Sequence, residues 1–253
     1  ITDHDTTDGI KQAIEFGRKF GVEVVPGIEI SAEYKNVVER EIHILGYFID
    51  YNNEEFQEKL LLFRKARIQR AKEILYKLSK LKIYIDFDQL IKNRINNPSI
   101  GRMHIARAMF ENKYITNIRE AFEKYLAWGR PAYVPKIMLK TKDAILLIKK
   151  INGIAILAHP RYGTNINKKI LNSLKLEGID GIEIYHSKHS QEAIKFYEEF
   201  VKENNLIPTG GSDCHGSYNH EELLIGKLNI DYQIFENLKN RRNEKLENLN
   251  KIF

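Results

Sequence analysis

The feature that most limits the fold of this chain is a set of apolar, strand-like runs that each carry or end in an ionisable side chain. Burying a carboxylate or an imidazole in such a run is costly unless the group is paired or binds a metal. A core histidine or a hydrogen-bonded glutamate would explain any one of these runs alone. A shared cluster of metal ions would stabilise them all, and its predicted ligands are His4, Glu29, His43, His159, Asp213 and His215.

The strongest single signal is the segment Thr209-Gly-Gly-Ser-Asp-Cys-His215. Side chains two apart on an extended backbone face the same way, so Asp213 and His215 converge while Cys214 points elsewhere. A carboxylate beside an imidazole makes half of a metal site. An Asp that caps a turn beside a surface His is the alternative. Cys214 is the only cysteine, which excludes an internal disulfide and fits a reducing cytoplasm.

Strand-like runs alternate with helical patterns over most of the chain, which indicates an α/β fold. Such alternation implies parallel strands, with ligand chemistry at their carboxyl ends, as in a (β/α) barrel. The predicted strands lie near 22–32, 40–49, 153–158, 179–185 and 206–211, and the helices near 7–20, 141–151, 166–176 and 190–204.

Residues 53–127 break the alternation and are predicted to form a helical insertion, between barrel segments 1–52 and 128–253. A long helical run is expected from Glu54 to Lys80, with shorter ones around 86–94, 101–112 and 117–126. Its basic residues either contact a nucleic-acid backbone or form a solvated helix face. They are Arg64, Lys65, Arg67, Arg70 and Lys72.

Composition excludes several classes of protein. The 253 residues suffice for one α/β domain, alone or with an insertion. No apolar run approaches the roughly 20 residues of a membrane span, and no signal peptide is recognised, so we expect a cytoplasmic protein without a membrane partner. The net charge of +6 does not by itself select a partner. The oligomeric state is not predicted.

The blocks that carry these ionisable residues together resemble the polymerase and histidinol phosphatase (PHP) superfamily of metal-dependent phosphoesterases. The matching blocks are Ile1–Thr6, Gly27–Ser31, His43–Tyr47, Ala158–Pro160 and Gly211–His215. Two more, Gly101–Arg107 and Phe122–Pro135, resemble the branch of 3′,5′-nucleoside bisphosphate phosphatases and 5′-to-3′ RNA-trimming enzymes. The resemblance implies a distorted (β/α)7 TIM-like barrel.

One departure from the superfamily pattern concerns the start of the chain. Members open with a strand bearing Asp-Leu-His-x-His, whereas this sequence begins at Ile1 and contains no His-x-His motif. We therefore expect that the first strand and helix of the barrel are missing. The resemblance then implies that the chain as written binds fewer metal ions, and more weakly, than the complete protein.

The resemblance also implies a ligand assignment for up to three divalent ions, of Mn, Zn or Fe. Glu29 would bridge two ions, and His43 and His159 would complete the second. Asp213 would bind the first ion, while His4 and His215 would bind the third.

The expected chemistry is hydrolysis of a phosphate monoester of a small nucleotide by a metal-activated hydroxide. His186, at the end of a predicted strand, is the candidate catalytic residue, either facing the substrate or acting as general acid. A histidine of the core or of the surface, without a catalytic role, is the alternative. Arginine forks suit phosphate recognition. The predicted substrate-binding residues are Arg102, His104, Arg130, Tyr133 and Arg161. Surface ion pairs or structural contacts are the alternative for each of them.

Three functions remain open at this point. The preferred one converts a nucleoside 3′,5′-bisphosphate to the 5′-monophosphate and phosphate. The second is a 5′-to-3′ exoribonuclease that trims short RNA. The third is a catalytically impaired fragment or binding remnant, suggested by the missing His-x-His motif. A histidinol-phosphate phosphatase would not explain the blocks at 101–107 and 129–135.

Overall fold

The computed structural model describes residues 1–34, 41–92, 100–160, 166–214 and 224–250. The chain divides into two compact units. The first unit comprises Ile1–His4, Gln12–Asn53 and Met138–Phe253, and the second comprises Asp5–Lys11 and Glu54–Ile137.

The first unit contains a six-stranded sheet with the order β3-β1-β2-β4-β5-β6. Strand β1 pairs in parallel with β3, and β4, β5 and β6 are parallel neighbours, but β2 runs antiparallel to both β1 and β4. The strands are β1 Gly27–Glu33, β2 Glu41–Tyr47, β3 Leu139–Lys140, β4 Ile154–Leu157, β5 Gly181–His186 and β6 Ile207–Gly211.

The α/β class is confirmed, but the prediction of a parallel sheet is wrong for β2. A parallel connection needs a crossover of about a dozen residues or more, usually through a helix. Only residues 34–40 lie between β1 and β2, so the two strands form an antiparallel pair instead. Closure into a seven-stranded barrel stays a prediction.

Helices precede, connect and follow the strands of the sheet. Helix α7 begins where the Asn167 side chain accepts the Ile170 N–H, and it ends at Gly178, whose φ of 102° suits glycine. The helices outside the inserted region are α1 Ile10–Phe20, α6 Thr141–Lys150, α7 Lys168–Glu177, α8 Gln191–Glu203 and α9 Tyr232–Asn250.

The core of the first unit lies against β4, whose four residues are all buried. Gly46 of β2 permits close packing of α6 on the sheet, because a Cβ there would lie 3.0 Å from the Ile148 side chain of α6. Burial on both sides explains why β4 reads as a continuous apolar run.

The second unit is helical and packs around its own apolar cluster. Leu78, Ile105, Met109 and Leu126 are fully buried in that cluster. The helices are α2 Glu54–Lys80, α3 Phe87–Lys92, α4 Arg102–Glu111 and α5 Ile118–Ala121, and α5 leads into a π-helical turn at Phe122–Leu126. Among the helices that the structure describes, none has the length and apolar character of a membrane span.

The basic residues of α2 mostly make contacts within the second unit. Arg67 is buried and donates hydrogen bonds to Asp5, and Arg64 donates to Asp8 at 2.6 Å. Arg70 donates to the Val134 carbonyl, and the Lys72 ammonium lies 5.1 Å from the centre of the Phe87 ring. Lys65 is exposed. Most charges of the run therefore have intramolecular partners, which sequence spacing does not reveal. A contact of this run with a nucleic-acid backbone stays a prediction.

Candidate metal centre

Glu29 lies at the centre of the candidate site, on β1. The strand is buried, and the Glu29 residue is only 5% exposed. His4 is brought beside it by a parallel bridge between the two residues, in which the Glu29 N–H donates to the Asp3 carbonyl at 3.1 Å. Backbone pairing therefore fixes the His4 segment against this carboxylate.

Three ligand atoms from three strand segments form a small triangle. Glu29 Oε1 lies 2.7 Å from His43 Nδ1 and 3.0 Å from His159 Nε2, and the two imidazole nitrogens are 3.3 Å apart. Donor atoms around one tetrahedral ion at about 2.1 Å lie roughly 3.4 Å from one another. The triangle is slightly smaller than that, so a modest expansion would admit an ion.

The second oxygen of the same carboxylate faces the other histidine. Glu29 Oε2 lies 3.4 Å from His4 Nε2, and the His4 and His43 rings meet edge to face at 4.8 Å between centroids. One ligand atom from each of His4, Glu29 and His43 lies within 4.8 Å of the others. The two carboxylate oxygens thus face different imidazoles, which suits a carboxylate shared between two ions.

The donor set fits the predicted metals. Three imidazoles around one carboxylate suit Mn, Zn or Fe better than Mg or Ca, which prefer oxygen ligands. His43 Nε2 also lies 3.4 Å from Glu41 Oε1, so the ring nitrogen away from the triangle faces a carboxylate. Carboxylates in that position commonly orient metal-binding histidines.

The charges in this group shift one another's pKa values. Burial raises the pKa of Glu29, but the charges of His4 and His43 and hydrogen bonds from His159 and His43 outweigh it, so the pKa lies well below its usual range. Burial lowers the pKa of His43, yet the Glu29 carboxylate raises it to about 9. Negative charge is therefore stabilised at Glu29 and positive charge beside it, as a cation site requires.

His186 and Asp213 lie next to the triangle: the His186 ring is close to the His159 ring, and Asp213 is close to His186. The His186 ring centroid is 5.7 Å from that of His159, and His186 Nε2 lies 3.8 Å from Asp213 Oδ2. His186 Nδ1 accepts the Lys188 N–H at 3.2 Å, which leaves the proton of a neutral ring on Nε2. The N–H of His186 is thereby directed to the side on which Asp213 lies.

Two of the predicted ligands have left-handed backbones. His159 has a φ of 24° and Asp213 a φ of 49°. Such conformations are costly for residues other than glycine and persist only when their surroundings hold them. They follow strands β4 and β6, at the points where the chain must direct a ligand toward the site.

Glu183 of β5 is a site residue that the sequence analysis missed. It is 4% exposed, and its Oε2 accepts the backbone N–H of His159 at 2.9 Å. Burial raises the pKa of Glu183 to about 6, although His159 and His186 oppose the shift. Its signal in the sequence, Ile182-Glu-Ile184, is the same as that of Glu29: a carboxylate inside an apolar strand.

The predicted substrate-binding residues that the structure describes all lie in the second unit. The Arg102 guanidinium lies 5.8 Å from the Phe122 ring centre and 5.9 Å from that of Tyr133. His104 Nδ1 accepts the Gly101 N–H at 2.9 Å and so caps α4, while Arg130 is exposed. Their role in substrate binding stays a prediction. His215 and Arg161 lie outside the described residues.

Comparison with known proteins gives relatives over most of the chain. A 5′-3′ exoribonuclease of Haemophilus influenzae is 31% identical over 218 residues, covering 85% of this chain and 78% of the relative. The exoribonuclease Rnm of Escherichia coli is 31% identical over 220 residues, covering 85% and 74%. A 3′,5′-nucleoside bisphosphate phosphatase of Chromobacterium violaceum is 28% identical over 218 residues, covering 85% and 75%. No protein-family model matches the sequence.

Solved structures share the fold. A protein of Bifidobacterium adolescentis assigned as a metal-dependent phosphoesterase superposes with a TM-score of 0.83 at 26% identity, covering 94% of this chain and 83% of that one. An amidohydrolase of Chromobacterium violaceum, with bound sulfate and no metal, gives a TM-score of 0.79 at 26% identity, covering 95% and 85%.

This protein is a metal-dependent phosphoesterase and therefore a hydrolase. The class is defined by the α/β fold with its mixed sheet, by the cluster of histidines and a carboxylate, and by these relatives. The chain belongs to the PHP superfamily, in the branch with the 3′,5′-nucleoside bisphosphate phosphatases and the 5′-3′ exoribonucleases.

Proposed function

We propose that this protein hydrolyses the phosphate monoester of a small nucleotide, converting a nucleoside 3′,5′-bisphosphate to the 5′-monophosphate and phosphate. The observation that carries the proposal is the convergence of His43 and His159 on Glu29 Oε1, within 3.0 Å of that atom. The relative from Chromobacterium violaceum that is named a 3′,5′-nucleoside bisphosphate phosphatase supports the substrate class.

Divalent ions of Mn, Zn or Fe in this site would lower the pKa of a bound water and neutralise phosphate charge. Glu29, His43 and His159 are proposed to hold one ion, with Glu29 shared with a second ion to which Asp213 contributes. His4 and His215 are proposed for a third. Although burial opposes it, the charges of His4 and His43 and the hydrogen bonds from His159 and His43 keep the Glu29 carboxylate ionised, as ion binding requires.

His186 is proposed to move a proton during the reaction. Its neutral ring carries hydrogen on Nε2, because Nδ1 accepts the Lys188 N–H. We propose that the proton on Nε2, on the side where Asp213 lies, passes to the oxygen that leaves the phosphorus. This assigns His186 the role of general acid.

Arg102, His104, Arg130, Tyr133 and Arg161 are proposed to bind the phosphate that does not react. Arg130 supports this role best, since its side chain is exposed and a guanidinium matches phosphate oxygens in a bidentate manner. The contacts of Arg102 with Phe122 and Tyr133 would hold its guanidinium in a fixed orientation.

A second candidate is 5′-to-3′ trimming of short RNA, because two relatives at 31% identity are exoribonucleases. Binding of a polyanionic strand would weaken steeply with salt. The α2 residues Arg64, Arg67 and Arg70 already have intramolecular partners, which leaves fewer of the predicted cations for a strand.

The two functions are separated by measuring phosphate release from adenosine 3′,5′-bisphosphate and shortening of a 5′-phosphorylated oligoribonucleotide, both with Mn²⁺. We expect faster turnover of the bisphosphate and a weak dependence on salt. Preferred, salt-sensitive turnover of the oligonucleotide would instead support the exoribonuclease. No turnover of either substrate, with Mn²⁺ bound, would indicate a binding remnant.

A further inference from the structure

Glu183 reaches the carboxyl ends of both strands that flank its own. Its Oε2 accepts the His159 N–H just after β4, at 2.9 Å. On the other side, a Cβ at Gly211 would lie 2.8 Å from Glu183 Oε1, so the end of β6 lies against the second oxygen. One side chain of β5 thus contacts the ends of β4 and β6 together.

The two strand ends lead directly into predicted metal ligands. His159 follows β4, and Asp213 comes two residues after Gly211. Both ligands have positive φ values, which the surrounding structure must maintain. A hydrogen bond to the His159 N–H restrains the peptide that sets the orientation of its imidazole.

A register irregularity lies directly after Glu183 in its pairing with β6. Glu183 pairs with Thr209 of β6, but Tyr185 pairs with Gly210, so the pairing shifts between Glu183 and Tyr185. Bulges of this kind redirect side chains near active sites. Gly211 completes the arrangement, since any larger residue would meet the Glu183 carboxylate.

We propose that Glu183 is a positioning residue for the metal centre, which orients His159 and the start of the Asp213 segment without binding an ion itself. The inference rests on the proposed metal-dependent function. Carboxylates that orient metal ligands typically change metal affinity by about 10- to 100-fold when removed.

Asp180 provides a matched control within the same unit. It is buried, and its Oδ2 accepts the N–H of Ala155, which lies within β4, at 2.9 Å. That contact lies near the start of the strand, away from His159. If Glu183, like Asp180, only stabilised the fold, Glu183→Ala and Asp180→Ala would have the same effect on Mn²⁺ affinity.

The test measures Mn²⁺ affinity by calorimetry, and the unfolding midpoint in EDTA, for wild type, Glu183→Ala, Glu183→Gln and Asp180→Ala. We expect Glu183→Ala to bind Mn²⁺ at least about tenfold more weakly. Glu183→Gln keeps an acceptor oxygen and should stay close to wild type, and Asp180→Ala should lower the midpoint while leaving Mn²⁺ affinity unchanged.

Gly211→Ala tests the same contact from the other side. The added methyl should displace the Glu183 carboxylate and weaken Mn²⁺ binding, yet have no further effect when combined with Glu183→Ala. If Glu183→Ala does not fold, the Mn²⁺ affinity of Gly211→Ala tests the proposal alone. A loss of affinity supports the proposal, and wild-type affinity contradicts it.

Three results would overturn the inference. They are wild-type affinity in Glu183→Ala, an equal loss of affinity in Asp180→Ala, and an equal effect of Gly211→Ala with and without the Glu183 side chain. Wild-type protein that binds no Mn²⁺ would refute the metal centre itself. This result differs from the three above, because it removes the basis of the inference and does not depend on Glu183.

Discussion

Glu29 Oε1 lies 3.0 Å from His159 Nε2, although the two residues are 130 positions apart in the chain. Neither side chain would be buried favourably alone. Their proximity, with His43 on the same oxygen, is the relationship on which the proposed function depends.

Replacing the Glu29 carboxylate should remove the effect of Mn²⁺ on the thermal stability of the protein. We expect Mn²⁺ to raise the melting temperature of wild-type protein, because a ligand that binds only the folded state stabilises it. Glu29→Gln removes the shared charge and should abolish this shift. The matched control is Glu198→Gln, which changes only an exposed bond to Tyr185 and should retain the shift in thermal denaturation.

The buried ion pair of the second unit should matter far more than an exposed one. Arg67 donates through Nε and Nη2 to Asp5, and both side chains are at least nine-tenths buried. Arg67→Met should lower the free energy of unfolding by about 3–5 kcal/mol, nearer the lower value because Lys136 remains 3.5 Å from Asp5.

The control for Arg67 is Arg119→Ala, which breaks an exposed pair with Glu123 and should cost less than about 1 kcal/mol. Urea denaturation followed by circular dichroism gives both values. Equal effects of the two substitutions would show that the Arg67 pair does not stabilise the fold as described.

Helix α2 offers a paired test of packing in the second unit. Leu78 is fully buried, whereas Leu62 of the same helix is 62% exposed. Leu78→Ala should lower the free energy of unfolding by about 2–5 kcal/mol through lost burial and a cavity. Leu62→Ala should change it by about 0.5 kcal/mol or less. A reversed order in chemical denaturation would contradict the described core.

Arg102 is expected to act on the phosphate that does not react. Arg102→Ala should raise KM for a nucleoside 3′,5′-bisphosphate much more than KM for a simple aryl phosphate, because only the former carries a second phosphate. Steady-state kinetics on both substrates provides the measurement. Equal losses would assign Arg102 to the cation–π packing with Phe122 and Tyr133 instead.

The candidate site was largely predictable because ionisable residues inside apolar strands are rare unless they are paired. Glu29, His43 and His159 were predicted on that ground, and the structure brings them together. Glu183 carried the same signal but was missed, because its hydrogen bond with the His159 N–H joins distant parts of the chain and leaves no local pattern.

The direction of β2 and the partners of the basic residues of α2 could not be predicted in the same way. Alternating patterns locate a strand but do not say which neighbour it pairs with, so the antiparallel pairing of β2 with β4 was unforeseen. Likewise, Arg67 is buried because Asp5, 62 positions away, accepts its hydrogen bonds. Such distant partners are set by tertiary packing and leave no local pattern.

Anomalous X-ray diffraction from crystals grown with Mn²⁺ tests the central claim most directly. We predict a peak within coordination distance of Glu29 Oε1, His43 Nδ1 and His159 Nε2. Mn²⁺ found only elsewhere on the protein, with these three side chains still hydrogen-bonded to one another, would contradict it.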